Sequence, residues 1–408
     1  MIPKKAAPLG IFSIPVLVAA LGYFVDIYDL LLFGIIRKSS LRSLGLSEDQ
    51  VLTSGEFIIS IQMVGLLIGG ILWGIMGDKK GRLSVLFGSI ILYSLANIAN
   101  GMVQTVNQYA LLRFIAGVGL AGELGAGITL VSELLPKEKR GLATSMVAGL
   151  GLTGAVVAYF ISKEFDWRIC YYIGGVMGLL LLILRVSVFE STMFQRVKET
   201  GVSRGNFLMF FTNKARFYTY IKCILIGLPT WYVIGILVTF SDQFGSHMGI
   251  AEAIDPGRAI MYAYVGISIG DITIGFVSQA LKSRKKALFI FYFLTAVFIA
   301  LFYMQSNGTA TSMYLICLGL GFATGFWAIF VTMAAEQFGT NIRATAATTV
   351  PNMVRGSLPL MIILFKSLRE TTDFITGGII TGVIIMTITC IAAYFTKETF
   401  GKDLMYVE

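Results

Sequence analysis

The sequence predicts an all-α membrane protein of twelve spanning helices in two pseudo-symmetric six-helix bundles. Three observations predict it. Of 408 residues, 56% are hydrophobic and 13% charged, which no soluble chain of this length could hide in a core. Apolar runs recur along the whole chain, each near the ~20 residues that a hydrocarbon layer asks of a helix. The two halves also echo each other. Runs such as Ile173–Leu184 are apolar on every face, unlike the ~10-residue alternating segments of a membrane barrel.

Hydrophobic windows place helices near 10–36, 54–76, 83–103, 107–132, 141–162, 168–189, 217–241, 258–281, 285–304, 311–335, 345–366 and 373–396. The first run carries Asp26 and Asp29, is too long for a secretory leader and lacks a small-residue cleavage site, so it is expected to be a retained helix. Six windows fall on each side of a hydrophilic segment, giving an N-terminal bundle 1–189, a linker 190–216 and a C-terminal bundle 217–408. Basic residues cluster in that linker and around Lys79–Arg82, Lys137–Arg140 and Lys282–Lys286. The positive-inside rule then puts the linker and both termini in the cytoplasm of a multi-pass cell (inner) membrane protein. Arg37, Lys38 and Arg42 run against that trend. The net charge of +9 is spent on these short tracts and not on a basic surface, which argues against a nucleic-acid partner. Cys170, Cys223, Cys317 and Cys390 stand singly in apolar runs, without metal-ligand spacing. No metal or cofactor is expected.

Internal duplication shows in Gly117-Val118-Gly119 ahead of Glu133 and Arg140, echoed by Gly319-Leu320-Gly321 ahead of Glu336 and Arg343 about 203 residues later. The loop at Gly77–Arg82 has a weaker echo near Ser278–Lys286, with Gln279 in place of Asp78.

The segment from Gly74 through Gly77, Asp78, Lys79, Lys80 and Gly81 to Arg82 resembles the most diagnostic motif of the major facilitator superfamily. Its glycines allow a tight turn, and Asp78 can accept hydrogen bonds from helix-end N–H groups or from an arginine of the other half. Arg113 to Glu123, with Glu133 and Pro136–Gly141 beyond it, resembles the fourth-helix signature of the sugar-and-other, metabolite:proton symporter and organic-ion branches. Glu190-Ser191 and the tail Lys397–Asp403 extend the resemblance over nearly the whole chain. It implies a monomeric carrier working by alternating access, whose cavity is lined by helices 1, 4, 7 and 10. Gly77, Asp78, Arg82, Glu133, Arg140, Glu336 and Arg343 are then expected to govern gating, with carboxylate–guanidinium pairs between the halves made and broken in each cycle. Ordinary interfacial charge is the alternative reading of the last four.

Ionisable side chains within a bilayer are costly and need a partner or a purpose. Asp26 and Asp29, three residues apart on one helical face, Arg113, Glu123, Lys222, Asp271 and Arg355 are such groups. A carboxyl group in a semi-dry cavity can load and unload a proton, and the resemblance assigns that part to first-helix acids. Asp26, Asp29 and Glu123 are therefore the proton-coupling candidates; the alternative is that the acids only pair with Arg113 or Lys222. His247 falls in an expected outer loop. Arg355, between Pro351 and Pro359, stands where organic-anion carriers of the superfamily place a substrate-facing cation. A guanidinium can grip a carboxylate with two hydrogen bonds. Arg113 and Arg355, with Tyr23, Trp231, Tyr232, Phe326 and Trp327 around the apolar body, form the expected substrate contacts. Asp271 has no expected role.

The function that follows is proton-coupled uptake of a small organic anion or related metabolite from the lipid bilayer's outer side. An antiporter exporting drugs or cationic metabolites would want a net acidic cavity, whereas three acids here face three bases. A receptor that binds without transport uses the same cavity. A membrane enzyme would need a nucleophile–base pair, a metal cluster or a phosphate loop, and none is visible.

Overall fold

The computed structural model describes residues 13–123, 125, 127, 131, 137–185, 207–339 and 342–401; the side chains of Pro15, Asp78, Arg82, Ala344 and residues 137–146 lie outside that description. The first six helices are α1 (Ile14–Ser43), α2 (Glu48–Lys80), α3 (Arg82–Asn100), α4 (Val106–Leu120), α5 (Lys137–Glu164) and α6 (Trp167–Arg185). The second six are α7 (Lys214–Tyr232), α8 (Pro256–Leu281), α9 (Arg284–Tyr303), α10 in two pieces (Ala310–Thr324 and Trp327–Glu336), α11 in two pieces (Arg343–Gly356 and Leu358–Thr371) and α12 (Phe374–Tyr394). Ten of these spans are long and apolar enough to cross a membrane among the described residues; α4 and α5, described in part, complete twelve. Large apolar side chains such as Ile183, Phe276 and Leu360 are about 70% exposed on the outer surface, the inverse of a soluble fold and the pattern that lipid solvation produces.

Helix ends reach past the apolar windows where polar side chains finish them. α2 starts at Glu48, six residues before its window, because Ser47 and Gln50 form a capping box. Between α2 and α3 the chain turns at Gly81, whose φ of 103° only glycine adopts readily.

Close packing within each half follows one rule. A Cβ on Gly65, Gly69 or Gly117 would strike backbone of the facing helix in the α2–α4 pair, and one on Gly266, Gly270 or Gly321 would do so in the α8–α10 pair. Glycines thus let two helices meet backbone to backbone. In these contacts Gly117 corresponds to Gly321, two residues beyond the Gly319 that the sequence echo pairs with it.

α7 departs most from ideal geometry. Pro229 has no N–H to give the Leu225 carbonyl, and the Thr389 hydroxyl of α12 donates to that oxygen instead, at 2.9 Å. Tyr292 of α9 donates to the Ile226 carbonyl at 2.7 Å. α7 then widens into a π turn over Val233–Val238, a feature common at functional sites.

Candidate functional site at the seam between the halves

The buried charges sort into pairs and remainders. Arg113 of α4 donates to Asp29 of α1 at 3.1 Å, with both side chains fully buried. It also donates to Asn97 and lies over the Tyr171 ring, 4.7 Å from its centroid. Tyr171 is in turn fixed by a hydroxyl–hydroxyl bond of 2.8 Å to Tyr109. Glu123 is held by both terminal nitrogens of Arg185, the last residue of α6. Gly22 of α1 leaves room for that pair: a Cβ there would collide with both partners.

Asp26 is what remains. Neither of its carboxylate oxygens has a hydrogen-bond partner among the described residues, although the side chain is wholly buried. Arg355 leads the charged groups that act on it, ahead of Glu123, Asp29 and Arg185. Arg355 itself is buried with no carboxylate at ion-pair distance among the described residues; it reaches only Asn352, at 3.3 Å, and the Trp327 ring, 5.6 Å from its centroid. Its Nε, the Trp327 Nε1 and the Trp231 Nε1 have no hydrogen-bond partner among the described residues. Tyr23 is seated by Gly151 of α5, where a Cβ would strike its ring. Tyr264 of α8 lies within electrostatic reach of both Asp26 and Arg355.

Trp231 also lines a narrow apolar cavity between the halves, with Leu30 and Gln62 on one side and Ile260 and Leu358 on the other. The neighbouring Tyr232 does not join it. Its hydroxyl donates to the Gly378 carbonyl at 2.7 Å and meets the Tyr303 hydroxyl at 2.8 Å, so it ties α7 to α9 and α12. Its hydroxyl is thereby committed within its own half, and Tyr232 is not carried into the substrate contacts proposed below. Phe326 likewise packs edge-on against Tyr292. Lys222 is no part of the central charge set either: its ammonium donates to the Phe395 carbonyl at 3.0 Å, beyond the end of α12.

Across the seam, the end of the bundle that carries the α1–α2 connection is bolted by ion pairs. Arg37 and Lys38 both hold Asp242, at 2.9 and 2.8 Å, and Arg369 holds Glu56 in bidentate fashion at 2.6 and 3.1 Å. Lys163 meets Asp255 at 2.5 Å. Arg37 and Lys38 thereby gain a reason for breaking the charge trend along the sequence, and Arg42, which joins Glu48 at 2.6 Å, gains one too. Further along the seam, Gly70 and Gly74 of α2 face Asn352 and Thr349 of α11, and Asn352 donates to the Ala121 carbonyl of the other half at 2.9 Å.

At the opposite end, Glu336 accepts two hydrogen bonds from Arg284, the first residue of α9, at 2.8 and 2.7 Å. This guanidinium belongs to the same half as Glu336; the pairing expected between the halves involves side chains that lie outside the described residues. Arg343 opens α11, and Gly77 packs on Val85. Glu133 and the side chains of Asp78, Arg82 and Arg140 lie outside the described residues. Glu398, in the tail motif, accepts from Ser283 and from the Arg284 and Lys285 amides, closing the start of α9. Partial burial opposes its ionisation, but hydrogen bonds from Ser283, Phe400, Lys285 and Thr399 outweigh that and hold the carboxyl down at about 2.

Sequence reasoning missed Arg185, which reads as an interfacial cation closing an apolar run, and missed Glu56, Asp242 and Arg369. The signal for the last group was available in the misplaced basic residues Arg37 and Lys38.

Two six-helix bundles meeting at a seam that encloses buried charge define a solute carrier of the membrane. The chain belongs to the major facilitator superfamily, whose family model matches residues 19–363. It is 25% identical to the niacin transporter NiaP of Acinetobacter baylyi over 97% of both chains. To the cis,cis-muconate transport protein of the same organism it is 24% identical over 95% of both. Among solved structures it is similar to the proton:xylose symporter XylE bound to 6-bromo-6-deoxy-D-glucose, with a TM-score of 0.73, 19% identity and 97% of each chain covered. It is a multi-pass membrane transporter of a small molecule.

Proposed function

We propose that this protein takes up a small organic anion together with a proton by alternating access, Asp26 carrying the proton and Arg355 holding the anion's carboxylate. The observation that carries the reading is the pair of remainders: among the described residues Asp26 is a carboxylate with no hydrogen-bond partner and Arg355 a guanidinium with no carboxylate at ion-pair distance, and they face the same seam. Asp29 and Glu123 are already neutralised by Arg113 and Arg185, so neither is free to exchange a proton without breaking a buried pair. An anion docked on Arg355 removes the positive charge that stabilises ionised Asp26. Protonation of Asp26 and anion binding thereby favour each other, which is the thermodynamic content of symport. Trp327, Trp231 and Tyr23 cover the anion's apolar body. Niacin and cis,cis-muconate, after which two relatives are named, are both carboxylic acids.

In this reading residues 1–189 and 217–408 are the rocking units, the linker 190–216 and both termini are cytoplasmic, and the working unit is a monomer. The ion-paired end is then the external one, closed in this structure. The test is counterflow exchange in proteoliposomes with organic acids, sugars and amines, for wild type and Arg355→Gln. The reading expects an organic acid to exchange and the variant to raise its KM about 30-fold, the value of a lost charged hydrogen-bond pair. Exchange of sugars or amines alone, or an unaffected variant, contradicts it.

A further inference from the structure

Asp271 is a carboxylate in the middle of α8, 6% exposed, and neither the ion pairs nor the proposed coupling uses it. Its environment is set by glycine. α10 stops at Thr324 and restarts at Trp327. Gly325, at the break, sits so close to α8 that a Cβ would lie 2.6 Å from the Gly270 Cα and 2.7 Å from the Asp271 nitrogen. A helix that restarts within the bilayer leaves its first N–H groups without intrahelical acceptors, and the residue ahead of this restart, Phe326, has no side chain to offer them. Asp271 supplies the acceptor from the neighbouring helix: the Ala328 amide donates to its Oδ1 at 3.0 Å. A carboxylate there also faces the positive end of the helix dipole.

The other half has no acid at the corresponding position. By the glycine contacts, Gly69 on Val118 corresponds to Gly270 on Phe322, so the counterpart of Asp271 is Gly70. Gly70 instead faces Asn352 across the seam. The acid is therefore a property of the second half, where the capped segment begins with Trp327, the ring beside Arg355.

We infer that Asp271 is a positioning residue for substrate recognition: it pins the restart of α10 so that Trp327 and Arg355 form one wall of the anion site, and it neither touches the substrate nor carries the coupled proton. The inference rests on the reading of Arg355 and Trp327 as substrate contacts. An asparagine oxygen at 271 can accept the same hydrogen bond without any charge, whereas alanine leaves the Ala328 amide orphaned.

The experiment measures KM and maximal rate of organic-acid counterflow, and accumulation driven by an inward proton gradient, for Asp271→Asn, Asp271→Ala, Trp327→Phe and Arg355→Lys. Asp271→Asn is expected to stay within about threefold of wild type in KM and to keep proton-driven accumulation. Asp271→Ala is expected to raise KM about tenfold with the maximal rate within about twofold. Loss of accumulation in Asp271→Asn with counterflow intact overturns the inference, because the carboxyl group would then take part in the proton cycle. An unchanged KM in Asp271→Ala overturns it as well. If Trp327→Phe and Arg355→Lys also leave KM unchanged, the substrate site itself is misread; if they raise it while Asp271→Ala does not, only the positioning role falls. Should Asp271→Ala yield no folded protein, proton-driven accumulation in Asp271→Asn decides alone.

Discussion

Arg369 and Glu56 face each other across the seam through two hydrogen bonds of 2.6 and 3.1 Å, one side chain from each half of the molecule. Together with Arg37, Lys38 and Asp242 they make the bolted end of the bundle a discrete thing that opens only by breaking charged contacts.

Removing one carboxylate from that end biases the protein toward the state open on that side. For Glu56→Gln the lost interaction is worth about 2 kcal/mol, a shift of roughly 30-fold in the population ratio. In a cysteine-free background, a reporter cysteine at Ile59, which lines the seam cavity, is expected to react faster with an impermeant maleimide in the variant. Equal labelling rates would mean that the pairs do not gate access.

Gly22→Ala is expected to be far more damaging than its size suggests, since the added methyl group collides with the buried Glu123–Arg185 pair. Breaking such a pair costs about 3–5 kcal/mol. Gly275→Ala, which meets nothing within 4 Å, is the matched control and should be neutral or slightly stabilising. Thermal melting in detergent reads both.

Asp29→Asn strands the Arg113 guanidinium and should destabilise by about 3–5 kcal/mol, with partial recovery on adding Arg113→Gln. Asp26→Asn removes no hydrogen bond of the described structure and should melt at or above the wild-type temperature. If the two aspartates behave alike, their division into structural and functional acids fails.

The tail motif should show its own pH dependence. Hydrogen bonds lower the folded-state pKa of Glu398 to about 2, below the ordinary glutamate value of about 4.3. Its contribution is therefore full above that ordinary value and is lost as pH falls toward the folded one. Hydrogen exchange in the first turn of α9 should be faster in Glu398→Gln than in wild type at pH 7, and the difference should shrink between about pH 4 and about pH 2.

Much of this architecture is legible from the chain because lipid, as solvent, leaves the spans few choices: each must be long, apolar and helical. The charges were legible as a set, Asp26, Asp29, Arg113, Glu123, Asp271 and Arg355, but of their partners only Arg113, for a first-helix acid, was among the alternatives. Pairing depends on how helices far apart in sequence are turned toward each other. Glu123 meets Arg185 across 62 positions, and no periodicity in the runs around either residue announces it. Lys222 looked central by its place along α7, yet a long flexible side chain takes its charge to the end of α12. Asp271 was opaque because its purpose lies in a break of α10, and a Gly-Phe pair within an apolar run does not read as a helix end.

Asp26, and not Asp29 or Glu123, is the proposed carrier of the coupled proton. Its most direct test records lumenal pH in proteoliposomes while an exchanging organic acid is added outside, for wild type and Asp26→Asn. Acidification is expected with wild type and not with Asp26→Asn, while the variant still performs counterflow of the same acid. Acidification that survives in Asp26→Asn at the wild-type ratio of protons to substrate would contradict it.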